Sequence, residues 1–381
     1  MRKIERGDLA PGCPAHAGAD QVWHVQDFPG ARAMLRSTDT RQAGFGIEQT
    51  QKVSDRMRMP VLFRDGVEHR EHRRQTAKYF TPKRVDTAYR SLMERLADEQ
   101  CATLRRRGEA DLSQLSFNLA VAVAAEVIGL TESGPGMAHR LDLFFEEKAH
   151  TTGLVRAWKN LRSNLNMGLF YWLDVRPAVD ARRRQSRDDL ISHLLGEGCH
   201  KAEILGECVT FAAAGMVTTR EFITVAAWHL FTDERLRAAY TGGGEKERVA
   251  ILHEILRLEP VVANLARRTT SEVRLGDTVI PAGAKVDIGV AAANLDPAAV
   301  GADGGAVCPA RPLADGVGDA GLSFGDGPHR CPGAYIAIQE TDIFLTKLFA
   351  LPGLRMVTPP KVGIRAEIAS YELTGLRIAA G

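Results

Sequence analysis

The stretch FGDGPHRCPGAYIA, residues 324–337, sets three glycines, two prolines, a histidine, an arginine and a cysteine ahead of an apolar run. Tyr335, Ile336, Ile343, Phe344 and Phe349 keep a helical period, so a helix opens just beyond Cys331. A helix N-terminus offers unpaired N–H groups and a positive partial charge. A cysteine held there is favoured as the thiolate, the form that ligates a metal. Gly325 and Gly327 let the preceding backbone turn tightly and approach a flat ligand, where a Cβ would collide. Gly333 lets the helix start pack closely. The stretch reads as a thiolate site with room for a planar group.

The rest of the composition narrows the setting. At 381 residues, 45% hydrophobic and 25% charged, the chain has the make-up of a globular protein with a sizeable core. Its 49 basic and 47 acidic side chains nearly cancel, which argues against a nucleic-acid binder. No apolar run approaches the roughly 20 residues that span a bilayer. The opening MRKIERGDLAPGC lacks a signal-peptide core, so a cytoplasmic location with no membrane attachment is expected. Cys13, Cys101, Cys199, Cys208, Cys308 and Cys331 share no paired spacing, which fits neither a disulfide framework nor a zinc module. All but Cys331 are read as small core residues.

The chain is mainly α in pattern, with small β-sheets. Thr81 can cap a helix that Pro82 enters and Gly108 ends. A longer helix is expected over 201–231, about 45 Å at 1.5 Å per residue. Such a helix crosses the whole molecule, so residues 1–381 are expected to form a single domain. SEVRLGDTVIPAGAKVDIGV reads as strand, turn, strand, with Gly276-Asp277 and Pro281-Ala282-Gly283 as turns. Residues 301–321 read as irregular loop, and Gly242 to Gly244 as a helix-ending loop without phosphate-loop chemistry.

Phe324-Gly325-Asp326-Gly327-Pro328-His329-Arg330-Cys331-Pro332-Gly333 resembles the haem-binding loop of the cytochromes P450, Phe-Gly-x-Gly-x-His/Arg-x-Cys-x-Gly, with every fixed position filled. The resemblance implies the P450 fold, with haem b (iron protoporphyrin IX) between the long central helix and the Cys-loop helix. It makes Cys331 the proximal ligand of the iron, its thiolate pushing electron density toward O–O cleavage. His329 would meet a haem propionate, Phe324 would pack beside the thiolate, and Gly325 would give the haem its close approach.

Three further motifs stand in the family's order. Glu254 and Arg257 in HEILR are three apart on one helix face. They match the family's Glu-x-x-Arg, which an Arg of the connecting segment joins; Arg311 fits that place. His69 and Arg73 are four apart and share a face, which suits two cations reaching carboxylates. They resemble the family's His-x-x-x-Arg helix, with Arg267 matching a further propionate ligand. His72 and Arg268 are read as ordinary surface charges. Within the long helix, Ala214 and Gly215 remove side-chain bulk, and Thr218 one turn on can bond a carbonyl and open the helix. Thr218 matches the family's catalytic threonine, with Ala214 and Gly215 forming the groove beside it.

The chain departs from the family at Val217, where an acid usually helps deliver protons. Either water bonded to Thr218 suffices, or Glu221 substitutes, or the chemistry needs less proton delivery. A second departure is the N-terminus: Val22-Trp23-His24-Val25 and Ala31 to Leu35 resemble a first strand and helix that lie further along in the family, so the small sheet is expected to be thinner.

By resemblance, Phe211, Val261, Val262, Ala263 and Asn264 are candidate pocket residues, mostly apolar, with Asn264 either a substrate hydrogen bond or a turn residue. Leu143-Phe144-Phe145 and Phe170-Tyr171-Trp172 read as lid or core, with the helical spacing favouring core. The activity implied is that of a soluble, bacterial-type monooxygenase inserting one oxygen atom of O2 into a small or mid-sized, largely apolar compound, in secondary metabolism or catabolism. Two alternatives remain: an oxidase or peroxygenase on the same fold, or a haem sensor without turnover. Electrons would come from a ferredoxin and its reductase, docking on a stripe of Arg70, Arg74 and Lys78, with the enzyme a monomer.

Overall fold

The computed structural model describes residues 2–7, 9–45, 47, 58–145, 162, 164–365 and 368–381. Helices make up most of it, arranged around one helical rod. Lys201–Ala212 is α-helical, Ala213–Val217 widens into a π-turn, and Thr218–Thr232 resumes the α-helix. His200 caps the start by a reciprocal pair with Glu203. The expected long helix is therefore present, with a wide turn where Ala214 and Gly215 fall.

The helix expected to open at Thr81 is present in the same broken form. The Thr81 hydroxyl accepts from Arg84 N–H at 3.2 Å, Val85–Tyr89 forms a π-turn, and Arg90–Arg107 ends at Gly108 with φ +71°. This helix packs on the Cys-loop helix, Ala334–Phe349, while Leu112–Ile128 packs on the central rod. Ile338, Ile343, Phe344, Leu345 and Leu348 of the Cys-loop helix are buried in a core shared with Glu245–Leu258 and Thr218–Thr232. A second apolar cluster lies on the other side of the rod, around Phe117, Val121, Ala125, Met216 and Val217.

The strands are β1 His16–Ala17, β2 Trp23–Val25, β3 Thr40–Ala43, β4 Glu109–Asp111, β5 Asn264–Thr269, β6 Val273–Leu275, β7 Thr278–Ile280, β8 Lys285–Gly289, β9 Arg355–Thr358, β10 Lys361–Arg365, β11 Ser370–Thr374 and β12 Arg377–Ala379. The main sheet runs β1-β2-β8-β5-β3, with β2 and β8 parallel. β6-β7 is the expected hairpin, closed at Gly276. β10-β11 is another, and β4-β12-β9 forms a third small sheet. No helix among the described residues is long and apolar enough to cross a membrane.

Several expectations about burial change. Cys101, Cys199 and Cys208 are core residues, but Cys13 is half-buried and Cys308 exposed. Phe170 is core, whereas Trp172 is 58% exposed, because the π-turn at Tyr171–Val175 swings it outward. The side chains of Leu143, Phe144 and Phe145 lie outside the described residues.

Candidate active site

The Cys loop is held by its own backbone. Gly325 N–H donates to Leu322 O at 2.8 Å, Arg330 N–H to Gly327 O at 3.1 Å, and Cys331 N–H to Phe324 O at 2.8 Å. Gly327 has φ +66°, and a Cβ there would stand 2.4 Å from Leu35 O, so only glycine lets the loop seat against the end of Phe28–Arg36. Phe324 packs on the core beneath. Cys331 is exposed as a residue, yet the protein around its thiol desolvates it and pushes its pKa up, opposed by a hydrogen bond from Gly333 N–H and by Arg73 and Arg330. An exposed residue with a raised thiol pKa marks the floor of a recess rather than an outer surface.

Basic side chains gather at the rim. His69 is buried and its ring stacks on that of His329, centroids 4.0 Å apart. Burial, helped by His329 and Arg73, lowers the His69 pKa to about 4, so it is neutral at physiological pH. Arg73 bonds the Arg330 carbonyl, and burial lowers its pKa. Arg267 is 3% exposed, donates to Gln42 Oε1 at 2.5 Å, and is brought down by burial to about 10. Asp65 is the carboxylate that reaches this group, bonding His329 Nε2 at 3.0 Å and Gln42 N–H at 2.9 Å. Asp65 occupies the N-cap position of Gly66–Thr76 without capping it, because its carboxylate is drawn to His329 and Gln42. Neither Asp65 nor Gln42 is singled out by local sequence.

Beneath the loop, Glu254 and Arg257 form a bidentate pair at 2.7 and 2.8 Å, and Arg311 Nε joins Glu254 at 3.1 Å. Cys308 N–H also donates to Glu254, and the remaining Arg257 and Arg311 donors reach carbonyls of Asn294, Gly304, Val300, Asp303 and Ala306. The three charges are fully hydrogen-bonded, the condition under which a buried ion cluster is tolerated.

Across the recess, the π-turn leaves Ala214 exposed and Gly215 and Thr218 half-buried, just before the rod becomes continuously buried from Thr219 to Ala227. Thr218 Oγ1 donates back to Ala214 O at 2.5 Å. Such wide turns accommodate one extra residue per turn and recur at functional sites. Val217 is 3% exposed, inside the second apolar cluster. Glu221 does not stand in for the missing acid: its carboxylate is fully buried, pairs with Arg220 at 2.7 Å and accepts from Leu373 N–H at 2.7 Å, so it faces the β10-β11 hairpin.

The pocket candidates divide. Phe211 lies on the open side of the rod, its ring stacked on Phe80 at 5.9 Å. Val262 bridges Ser370, and Ala263 N–H donates to Ala369 O, so the tip of β10-β11 adjoins this segment and brings Ile368 to the apolar cluster that Phe211 packs on. Val261 instead lies in the core below. Asn264 gives its amide to Asp287 at 2.7 Å. It points away from Leu265 and Arg267, whose face meets the Cys loop, by the alternation of a strand. His72, read as a surface charge, is buried because it turns inward toward Glu207. Arg74 pairs with Glu71 at 2.6 Å and Lys78 with Asp188 at 3.0 Å, which tempers the basic stripe around exposed Arg70.

Comparison with known proteins agrees with this arrangement. Residues 249–351 match the family model for Cytochrome P450. The chain is 28% identical over 309 residues to Cytochrome P450 130 of Mycobacterium tuberculosis, covering 76% of this chain and 71% of that one. It is 29% identical to the Erythromycin C-12 hydroxylase of Saccharopolyspora erythraea, covering 86% and 81%. Among solved structures, substrate-free CYP109E1 of Bacillus megaterium superposes with a TM-score of 0.80 at 21% identity, over 97% of this chain and 95% of that one. In sequence and in fold the chain is thus similar to the cytochromes P450, haem b monooxygenases that take electrons from a redox partner and act on small molecules with O2.

The residues present suit that cofactor. An exposed cysteine at the floor of the recess, glycines and alanines where side chains would block a planar ring, and desolvated cations with a single carboxylate among them complement an iron macrocycle with two acidic side arms.

Proposed function

We propose that the protein inserts one oxygen atom of O2 into a C–H bond of a small or mid-sized, largely apolar compound of secondary metabolism, with electrons from a ferredoxin and its reductase. The observation that carries this reading is exposed Ala214 beside half-buried Gly215 and Thr218 at the widened turn of the rod. A protein that only binds haem has no use for a small-residue gap beside a threonine hydroxyl.

Cys331 would ligate the iron, with the Gly333 N–H moderating the thiolate's charge. His69, Arg73, Arg267 and His329 would hold the propionates, displacing weaker partners such as the Arg330 carbonyl. Bound haem supplies the activation of dioxygen. Thr218 Oγ1 would exchange the Ala214 carbonyl for the incoming oxygen and pass it a proton, and Ala214 and Gly215 leave room for that exchange. Phe211, Val262, Ala263 and Ile368 would exclude water and orient an apolar substrate. Glu254, Arg257 and Arg311 would support the loop from below. Exposed Arg70 and Arg330 would attract the acidic donor, with the salt sensitivity of charge-steered encounter.

The reduced, CO-bound spectrum of wild type beside Cys331→Ala tests the ligand: a thiolate-type Soret band surviving in the variant refutes it. Product analysis with labelled O2 and a surrogate ferredoxin tests the reaction. The second reading, oxidative coupling, desaturation or peroxide use, is favoured by the apolar packing of Val217. Unlabelled product together with turnover on peroxide alone would select it.

A further inference from the structure

The segment 58–64, leading into the His69 helix Gly66–Thr76, is fastened to the central rod by two carboxylates one turn apart. Arg58 N–H donates to Glu203 Oε1 at 2.8 Å, and Val61 N–H to Glu207 Oε1 at 3.0 Å. Between them Gly206 makes room for Pro60: a Cβ there would stand 3.2 Å from the proline Cγ. Arg64 bonds the Met59 carbonyl and reaches Glu207 Oε1 at 3.2 Å. Glu207 also lies one turn before Phe211 on the rod.

Two features go beyond simple docking. The contacts converge on one oxygen of Glu207, while Oε2 is buried without a partner, as is Nε2 of His72, whose distance to Oε1 is 3.8 Å. Arg64 also has a second choice, because its other terminal nitrogen lies 3.5 Å from Glu68, a carboxylate 64% exposed. One guanidinium thus stands between a buried acid and an outer one, and a groove of about 550 Å³ bordered by Arg58, Arg64, Glu68 and His72 opens beside it.

We propose that Glu207 is a positioning residue whose charge latches segment 58–64 onto the central helix, and that proton uptake by Glu207 hands Arg64 to Glu68 and loosens this segment from the rod. Burial lifts Glu207 to about 7 while Arg64 and the Val61 N–H pull it down. When these contacts let go with the carboxyl still shielded by the rod it rises further, so release takes up a proton and is favoured as pH falls toward about 7. The other groups facing it do not titrate there in the same sense. From the His69 helix, His72 is held neutral down to about 4, while Glu68 and Glu71 lie at the groove rim. From the helix Leu190–Gly196 and its end, His193 is lowered by burial and Glu197 is exposed. On the rod, Glu203 is lowered, and Cys199 and Cys208 are raised by burial and stay protonated.

The inference does not depend on the proposed reaction, and its test needs no turnover. Hydrogen–deuterium exchange on the holoenzyme, corrected for intrinsic rates, is followed for the amides of 58–64 between about pH 6 and pH 8. Protection in wild type is expected to fall with falling pH, by up to about tenfold per pH unit, the limit for one proton. Glu207→Gln keeps the acceptor for Val61 but loses the charge, so exchange should be fast at every pH. Glu68→Gln, at the surface, removes the outer choice and should move the wild-type midpoint to lower pH. A wild-type profile flat in pH, or a Glu207→Gln profile that keeps the wild-type slope, overturns the latch. Loss of the Cys331 spectrum with the slope intact would instead overturn the haem assignment alone.

Discussion

Around Cys331 the loop's own backbone bonds span three to seven residues, with Leu35, Asp65 and Arg73 the remote partners at Gly327, His329 and Arg330. Across the recess, Thr218 and Val217 sit on a rod whose chemistry depends on what packs against it from far along the chain. Val217 is apolar among Phe117, Val121 and Ala125, and Glu221 is claimed by Leu373, 152 residues away. The contrast teaches that the ligand side tolerates little change, since each atom has a local task. The oxygen side is adjustable, because a buried helix face can swap an acid for a valine if its packing partners are apolar.

Four measurements bear on that contrast, beginning with the largest effect. Glu254→Ala should leave Arg257 and Arg311 as uncompensated buried cations and lower stability by about 3–5 kcal/mol, read by denaturant unfolding. A loss near that of a surface pair would mean the ligand side is less rigid than its bonding indicates. Thr218→Val should spare the CO spectrum but reduce product formed per electron consumed, with a rate loss on the order of 10². An unchanged yield would place proton delivery elsewhere.

Val217→Asp sharpens the comparison from the other direction. Burying a carboxyl in an apolar cluster costs about 1–3 kcal/mol, so the melting temperature should fall while the solvent isotope effect on turnover shrinks. A lower melting temperature with no kinetic change would show that the acid's place is purely structural here. The smallest effect is expected at Glu340, on the Cys-loop helix, buried and raised to about 8 from 4.5. A raised carboxyl favours the folded state when protonated. Its contribution is therefore full below about pH 4.5 and is lost as pH rises through 8. Glu340→Gln should melt like wild type near pH 5 and a few degrees higher near pH 8.5.

Much of this could be read from the chain. Thr81, Gly108, the 201–231 rod and the Gly276 hairpin follow from local capping, period and turn chemistry, and the Cys loop from its glycines. Glu254 and Arg257 were legible as a helix pair, but their burial was not. What could not be read has one cause: the deciding partner is remote. Asn264 points off the pocket because Asp287 takes its amide, Val261 sinks into the core, and Trp172 leaves it at a π-turn that no propensity marks. Glu207 looked like any helix glutamate, since Val61 and Arg64 lie 146 and 143 residues before it.

The sequence by itself determined the thiolate loop, its glycine-lined approach and the helix that follows, since each depends on backbone geometry within a few residues. Only the tertiary structure decided which carboxylates are free to handle protons. Whether an acid is buried, paired or turned to the recess depends on the desolvation and charges contributed by elements that meet only in the folded chain.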